Sequence, residues 1–167
     1  MRNKIFKLNK TTKTLGNIFP ALLIFTPVVA FAGTISQSTS VPQDFSADAE
    51  YVINKDVTIS SAGSESAVSV TGINVTSTTN KGNISGKGNG LDINTGAQRV
   101  IIHNESGATI SSTTANAVNV QSMLGDLNND GNITGTENGV FVSESSSAVN
   151  IANTDTCLLY TSDAADE

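Results

Sequence analysis

"NKGNISGKGNGLDI" (residues 80–93) contains, within one short stretch, the two patterns that decide the fold. The first is a turn led by Asn80 that runs into a single isoleucine, Ile84. The second is the alternation of Leu91 and Ile93 with a polar residue, the period of a strand with one apolar face. Glycines separate the two patterns and favour a turn between them. The stretch therefore predicts two short strands joined by a turn.

The asparagine-led turn recurs along the chain. "NKDVTIS", "NESGATIS", "NDGNITG" and "NTDT" repeat it, and the leading asparagines are 26, 24, 25 and 24 residues apart. A regular period of this size is typical of solenoid repeats. Asparagine tolerates the left-handed backbone of a sharp corner, and stacked asparagines can form a ladder of mutual hydrogen bonds. The predicted ladder consists of Asn54, Asn80, Asn104, Asn129 and Asn153.

Each repeat also contains apolar residues at equivalent strand positions. The isoleucine after each turn marks one strand, and an alternating pair such as Val68 and Val70 marks a second. The predicted core positions are Ile59, Val68, Val70, Ile84, Leu91, Ile93, Ile110, Val118, Val120, Ile133, Val140 and Val142.

A third segment in each repeat supplies the remaining strand. It is predicted at Ile73/Val75, Val100/Ile102, residues 123–127 and Val149/Ile151. Three-strand units of about 25 residues cannot bury their apolar faces alone, but stacked units can pair each strand with its equivalent in the next. The expected fold is all-β: a right-handed parallel β-helix over residues 54–156. Residues 33–53 are less repetitive and are expected to cap its open strand edges.

The first 32 residues are typical of a signal peptide. Five basic residues precede the apolar run "IFPALLIFTPVVAFA", which ends in the small residues Ala30 and Ala32. Cleavage after Ala32 is expected. The run is short for a membrane anchor, which needs roughly 20 apolar residues, and it contains Pro20 and Pro27. The chain is therefore expected to be secreted across the inner membrane.

Charge excludes one class of partner. Beyond residue 32 the chain has four basic and fifteen acidic residues, a formal charge of −11. Nucleic acid and anionic membranes would be repelled by such a surface. The same region is rich in Ser, Thr, Asn and Gly, yet Val and Ile recur throughout it, which distinguishes it from a disordered chain.

The last eleven residues differ abruptly in composition. "CLLYTSDAADE" (157–167) resembles, residue for residue, the in-frame translation of a transposon-type sequencing adapter. On that interpretation residues 157–167 are an artefact, and the natural protein continues beyond Thr156 with other residues. Cys157 stands where the next repeat isoleucine was due. A genuine disordered C-terminus is the alternative.

"DLNNDGNITGTE" (126–137) fits the calcium-loop pattern of an EF-hand. Asp126, Asn128, Asp130 and Glu137 hold the ligand positions of that pattern. An EF-hand also needs a flanking helix on each side, whereas both flanks here alternate like strands. Most of the matching residues are already required by the repeat. The prediction is therefore a solvated turn, with a calcium-binding corner as the alternative and no cofactor expected.

The stretch from Asn80 to Val120 resembles the passenger region of bacterial autotransporters, which are type V secretion proteins, and the resemblance as a whole spans about Asn54 to Thr156. In that family "N-x-G-x-I-x-G" turns alternate with "G-I-x-V" strands. Matching residues are Asn80, Gly82, Ile84, Gly86, Gly90, Leu91 and Ile93, followed by Asn129, Gly131, Ile133, Gly135, Gly139, Val140 and Val142.

The resemblance implies a non-enzymatic, adhesin-like scaffold displayed on the cell surface. It also implies host or bacterial surface ligands and a C-terminal outer-membrane β-barrel as carrier. Two-partner secretion proteins share this sequence grammar and remain an alternative. A β-helix enzyme acting on polysaccharide is another, but it would need clustered Asp, Lys or Arg, and such residues are scattered here. His103 and Arg99 in "QRVIIH" are expected at the surface.

Overall fold

The predicted parallel β-solenoid is confirmed. The computed structural model describes residues 32–122, 124–144, 146, 150–154 and 159–161, and the predicted signal peptide lies outside these residues apart from Ala32. Sixteen short strands in the described residues form three parallel sheets, here named sheets A, B and C. Successive strands visit the sheets in turn, and each pairs with its equivalent one coil later, building about four turns.

Sheet A contains the longest strands and ends at the corner that carries the asparagines. Its inward side chains form a mostly apolar column and the asparagine column, since equivalent residues of neighbouring coils pair with one another. The register shifts between Leu124 and Leu127, where that strand has a β-bulge or irregularity. Its strands, in spatial order, are β1 (Ala32–Ile35), β3 (Glu50–Ile53), β6 (Ser77–Asn80), β9 (Val100–Asn104), β12 (Leu124–Asn129) and β15 (Asn150–Asn153).

Sheet B contains the isoleucine that follows each corner. Ile59, Ile84, Ile110 and Ile133 form one fully buried column. The strands are β4 (Thr58–Ser61), β7 (Asn83–Gly86), β10 (Thr109–Ser112), β13 (Asn132–Gly135) and β16 (Leu159–Thr161). In the last of these strands Leu159 aligns with Ile133. The expectation that Cys157 takes the next isoleucine position is therefore wrong by two residues. Cys157 itself lies outside the described residues.

Sheet C contains the alternating pairs, whose inward side chains form two parallel apolar columns. Its strands are β2 (Gln43–Phe45), β5 (Val68–Val70), β8 (Leu91–Ile93), β11 (Val118–Val120) and β14 (Val140–Val142). Ten of the twelve predicted core positions, all except Val140 and Val142, have no exposed surface. Those two are partly buried and pack against the core at the last coil of this sheet.

The first of the predicted third strands is wrong. Ile73 lies in a loop with 62% of its surface exposed, and the sheet A strand of this coil is Ser77–Asn80. Thr78 takes the inward position, aligned with Ile102 of the next coil. A Ser/Thr segment without apolar residues shows no hydrophobic period, which explains why the pattern favoured the preceding Ile73 and Val75.

Residues 33–53, predicted as a cap, contribute strands β1, β2 and β3 to sheets A and C, and Thr39 bridges to Ile59 of sheet B. They thus have the architecture of a coil. The interior of this coil contains a stacked aromatic pair, Phe45 and Tyr51, with ring centroids 3.9 Å apart. The Tyr51 hydroxyl also accepts hydrogen bonds from the backbone N–H groups of Ala47 and Asp48. Aromatic volume here replaces the aliphatic columns of later coils.

As for transmembrane helices, the described part of the chain has no helix with the length and apolar character to span a bilayer.

Candidate functional site

The corner between sheets A and B is held by a ladder of buried asparagine side chains. The Asn80 amide donates to Asn104 Oδ1 at 2.8 Å, Asn104 donates to Asn129 Oδ1 at 2.8 Å, and Asn129 donates to Asn153 Oδ1 at 2.7 Å. Asn80, Asn104 and Asn129 are at most 1% exposed. Because each amide is both donor and acceptor, consecutive coils satisfy one another without water.

Asn54 does not belong to this ladder. Ile53 aligns with Asn80 in the sheet A register, so Asn54 stands one residue further along and is only partly buried. Its backbone carbonyl instead accepts a turn hydrogen bond from Val57 N–H at 3.2 Å. The prediction for Asn54 was wrong because the sequence motif marks the corner but does not fix the register at the strand end.

A second asparagine ladder, not predicted from the sequence, lies where three consecutive coils enter sheet C. Asn138 donates to Asn116 Oδ1 at 2.8 Å, and Asn89 Oδ1 accepts from Asn116 N–H at 3.2 Å. These side chains are partly buried. The signal is present in the sequence: each asparagine precedes a small residue and then an alternating pair, as in "NGLDI", "NAVNV" and "NGVFV".

The four residues of the alternative calcium-binding corner do not form one site. Asp126 and Asn128 flank the inward Leu127 on strand β12 and so project from sheet A, whereas Glu137 follows strand β13 beyond sheet B. Asp130 is exposed at the corner between them. Strands flank the loop where an EF-hand has helices, so the EF-hand alternative is wrong. Within the described ranges, no three His, Cys, Asp or Glu side chains are grouped to hold a metal ion.

His103 and the acidic corner residues line a shallow groove beside the buried ladder. Lys81 Nζ and Glu105 Oε1 form an exposed ion pair at 3.3 Å, and Glu105 separates two adjoining depressions of about 270 and 450 Å³. His103 is exposed, as expected, and its Nδ1 lies 3.4 Å from the Asn128 amide nitrogen. An exposed ion pair contributes little to the free energy of folding. We therefore interpret this groove as a polar surface feature.

The outer face of sheet C contains the most unusual carboxyl group. Asp92 projects outward between the inward Leu91 and Ile93, yet only 9% of its surface is exposed. Its Oδ1 accepts a hydrogen bond of 2.7 Å from the Asn119 amide one coil later. Burial raises the pKa of the Asp92 carboxyl above 3.8, and the bond from Asn119 partly opposes that shift.

The outward neighbours of Asp92 form one column, here named the sheet C column. Pairing places Asp44, Ser69, Asp92, Asn119 and Phe141 side by side on consecutive coils. Phe141 is 42% exposed and is one of the few large apolar side chains presented to solvent by the described residues. The sequence predicts no site here, because these residues become adjacent only after the coils stack.

No family model, curated protein or solved structure matches the chain.

Proposed function

We propose that the chain is an exported passenger segment of the autotransporter type, a non-enzymatic scaffold that binds ligands at a cell surface. The observation that carries the proposal is the residue-for-residue stacking of polar outward side chains. On sheet B, the first outward positions align as Thr58, Asn83, Thr109 and Asn132, and the next as Ser60, Ser85, Ser111 and Thr134. The outer face of sheet B thus repeats small hydrogen-bonding groups at intervals of about 4.8 Å.

Such faces suit binding over an extended area. The interior of the coils is filled by aliphatic side chains and satisfied asparagine amides, which makes the rod stiff. A stiff surface loses little conformational entropy when it binds, so many weak polar contacts can add to a useful affinity. The apolar run ending at Ala32 and the formal charge of −11 beyond it also support export and a ligand that is not strongly anionic.

Export is tested by expressing the full chain with a C-terminal tag in a Gram-negative host. We expect tagged protein in the periplasm or beyond, with a mature N-terminus at Gly33. A Leu23→Arg variant, which interrupts the apolar run, should remain uncleaved in the cytosol. Wild-type protein that also stays uncleaved in the cytosol would refute the proposal.

Surface binding is tested with beads coated with the purified chain and applied to cultured epithelial and bacterial cells. Folded protein should adhere and heat-denatured protein should not. Release of reducing ends from a polysaccharide panel would instead support the β-helix enzyme.

Reading genomic DNA across the codon for Thr156 tests the carrier, because the proposal expects further coils and then a translocator barrel in place of residues 157–167.

A further inference from the structure

We propose that the sheet C column is a binding site for a neutral oligosaccharide, with Phe141 as the stacking platform and Asp92 and Asn119 as the hydroxyl-binding pair. The inference rests on the proposed surface-binding role and names the ligand class and the face that takes it. Asp92, Asn119 and Phe141 belong to strands β8, β11 and β14, so the site exists only because three coils stack in register.

The carboxylate is difficult to explain as a structural bridge alone. A bridge between two coils needs one acceptor for the Asn119 amide, and an asparagine at position 92 would supply it without burying a charge. The cost of desolvating a carboxylate is characteristic of a group retained for binding or chemistry. Asp92 stands where Ser69 stands one coil earlier, so the sheet itself does not require an acid there.

The pair keeps acceptor capacity for a ligand. Asn119 occupies Asp92 Oδ1, which leaves Asp92 Oδ2 and Asn119 Oδ1 without a hydrogen bond inside the described protein. Asp92 is 9% and Asn119 6% exposed, and neither free oxygen is among the fully enclosed side-chain atoms without a partner, which in the described residues are Ser61 Oγ and Thr78 Oγ1. The two oxygens therefore reach the surface only through a narrow opening. Two fixed acceptors on neighbouring coils can receive two hydroxyl protons from one sugar ring.

Phe141 supplies the complementary apolar contact. It lies in register with Asn119 on the edge strand of sheet C, with 42% of its surface exposed. A sugar ring presents C–H groups on one face and hydroxyls around its edge, which matches an aromatic ring beside paired acceptors. Asp92 and Phe141 are two coils apart, about 10 Å at the rise of a parallel sheet, so the site fits a disaccharide lying along the solenoid better than one sugar.

Charge selects among sugars. Asp92 is acidic, and the chain beyond residue 32 has a formal charge of −11. Sulfated or sialylated glycans would therefore be repelled, whereas neutral hydroxyl donors would not. The competing occupant for an aromatic ring beside a carboxylate is a lysine- or arginine-bearing peptide.

The test uses the purified full chain on an array of neutral mono-, di- and oligosaccharides, their sialylated and sulfated counterparts, and an oligolysine peptide. We expect binding of neutral disaccharides or longer glycans, and weaker binding of monosaccharides. Calorimetric titration of the best neutral glycan should show an affinity loss of about tenfold or more for Phe141→Ala, with binding kept by Phe141→Trp. Asp92→Ala should lose binding by a similar factor.

Ile73→Ala is the matched control, since Ile73 is also an exposed apolar residue but lies in a loop outside the column. It should bind like the wild type, and thermal unfolding of each variant should show an intact fold. Failure to bind any neutral glycan, unchanged binding by Phe141→Ala, or Phe141-dependent binding of oligolysine alone would overturn the inference. Because this assay uses purified protein, export and cell adhesion can succeed while it fails, which separates it from the proposed function.

Discussion

Two kinds of corner alternate along the edge between sheets A and B. In the tight corners, at Asn80–Gly82 and Asn129–Gly131, the asparagine Oδ1 accepts a hydrogen bond from the glycine N–H two residues later. In the wide corners, at Asn54–Val57 and Glu105–Ala108, the backbone closes its own turn, with positive φ at Asp56 (65°) and Gly107 (82°). Ile84 follows Asn80 by four residues, whereas Ile110 follows Asn104 by six.

The tight corners nest against the wide ones. A Cβ on Gly82 would lie 2.6 Å from the Asn54 carbonyl oxygen, and a Cβ on Gly131 would lie 2.6 Å from that of Glu105. The carbonyls of each wide corner therefore occupy the space that a side chain on the next coil would need. The register of the coils is therefore set by the asparagine side chains and by backbone nesting, while the number of residues in a corner can vary.

The largest expected effect comes from filling a tight corner. Gly82→Ala places a methyl group against backbone that cannot move independently of the coil, and we expect a loss of about 2–4 kcal/mol in the free energy of unfolding. Gly107→Ala, in a wide corner with open space around it, should lose only about 1 kcal/mol from the left-handed backbone. Chemical denaturation measures both. Equal losses would contradict the nesting.

The next largest effect separates the buried ladder from the half-buried one. Asn104→Ala removes the hydrogen bonds that Asn104 makes with the Asn80 amide, Asn129 Oδ1 and the Asn132 carbonyl, and the two ladder groups keep only their bonds to backbone. The expected cost is about 2–3 kcal/mol. Asn116→Ala, in the second ladder, should cost about 1 kcal/mol because water can replace its partners. Denaturant titrations of the two variants give the comparison, and a larger loss at Asn116 would reverse our ranking of the corners.

A smaller effect of opposite sign is expected inside sheet A. Thr78 is fully buried, and its hydroxyl has no hydrogen bond partner. Thr78→Val keeps the shape and removes the unsatisfied group, so we expect the free energy of unfolding to rise by about 1 kcal/mol. Thr79→Val, one residue further and directed outward, is the control and should give no such gain. Destabilisation by Thr78→Val would show that the hydroxyl has a partner.

The pH dependence of stability sharpens the contrast between the corners and the outer face of sheet C. Since the Asp92 pKa is raised by folding, this carboxyl favours the folded state most below about pH 3.8 and loses that contribution as the pH rises through the raised value. Asp92→Asn should therefore raise the thermal midpoint at neutral pH by a few degrees, with a smaller gain near pH 3. Asp44→Asn, at the exposed end of the column, controls for charge. A rise in the thermal midpoint of Asp92→Asn that is the same at every pH would contradict the raised pKa of Asp92.

The smallest effect is expected from calcium removal. The oxygen ligands of "DLNNDGNITGTE" lie on separate parts of the coil, so chelator titration should leave the thermal midpoint of the full chain unchanged. A marked fall in the midpoint on adding chelator would show that the corner at Asp130 binds the ion. Unfolding followed with magnesium in place of calcium controls for ionic strength.

Much of the fold was readable from short-range patterns. Alternating pairs such as Val118 and Val120, and the isoleucine after each corner, report a local period that survives stacking unchanged. Sheet A was less readable, because the inward strand position is occupied by the polar Thr78, while the apolar Ile73 lies in a loop outside the sheet. The candidate site was not readable at all: Asp92, Asn119 and Phe141 are 27 and 22 residues apart in sequence and become neighbours only through register.

The sequence by itself determined that the chain coils into three-strand units, since a repeated apolar pattern too short to bury its own face can be satisfied only by stacking. Tertiary structure decided the register, which excluded Asn54 from the ladder and admitted Asn80, Asn104, Asn129 and Asn153. It also decided which outward groups meet on sheet C. The physical reason is that parallel pairing fixes each coil against the next through backbone hydrogen bonds and nested corners, and no local pattern encodes that alignment.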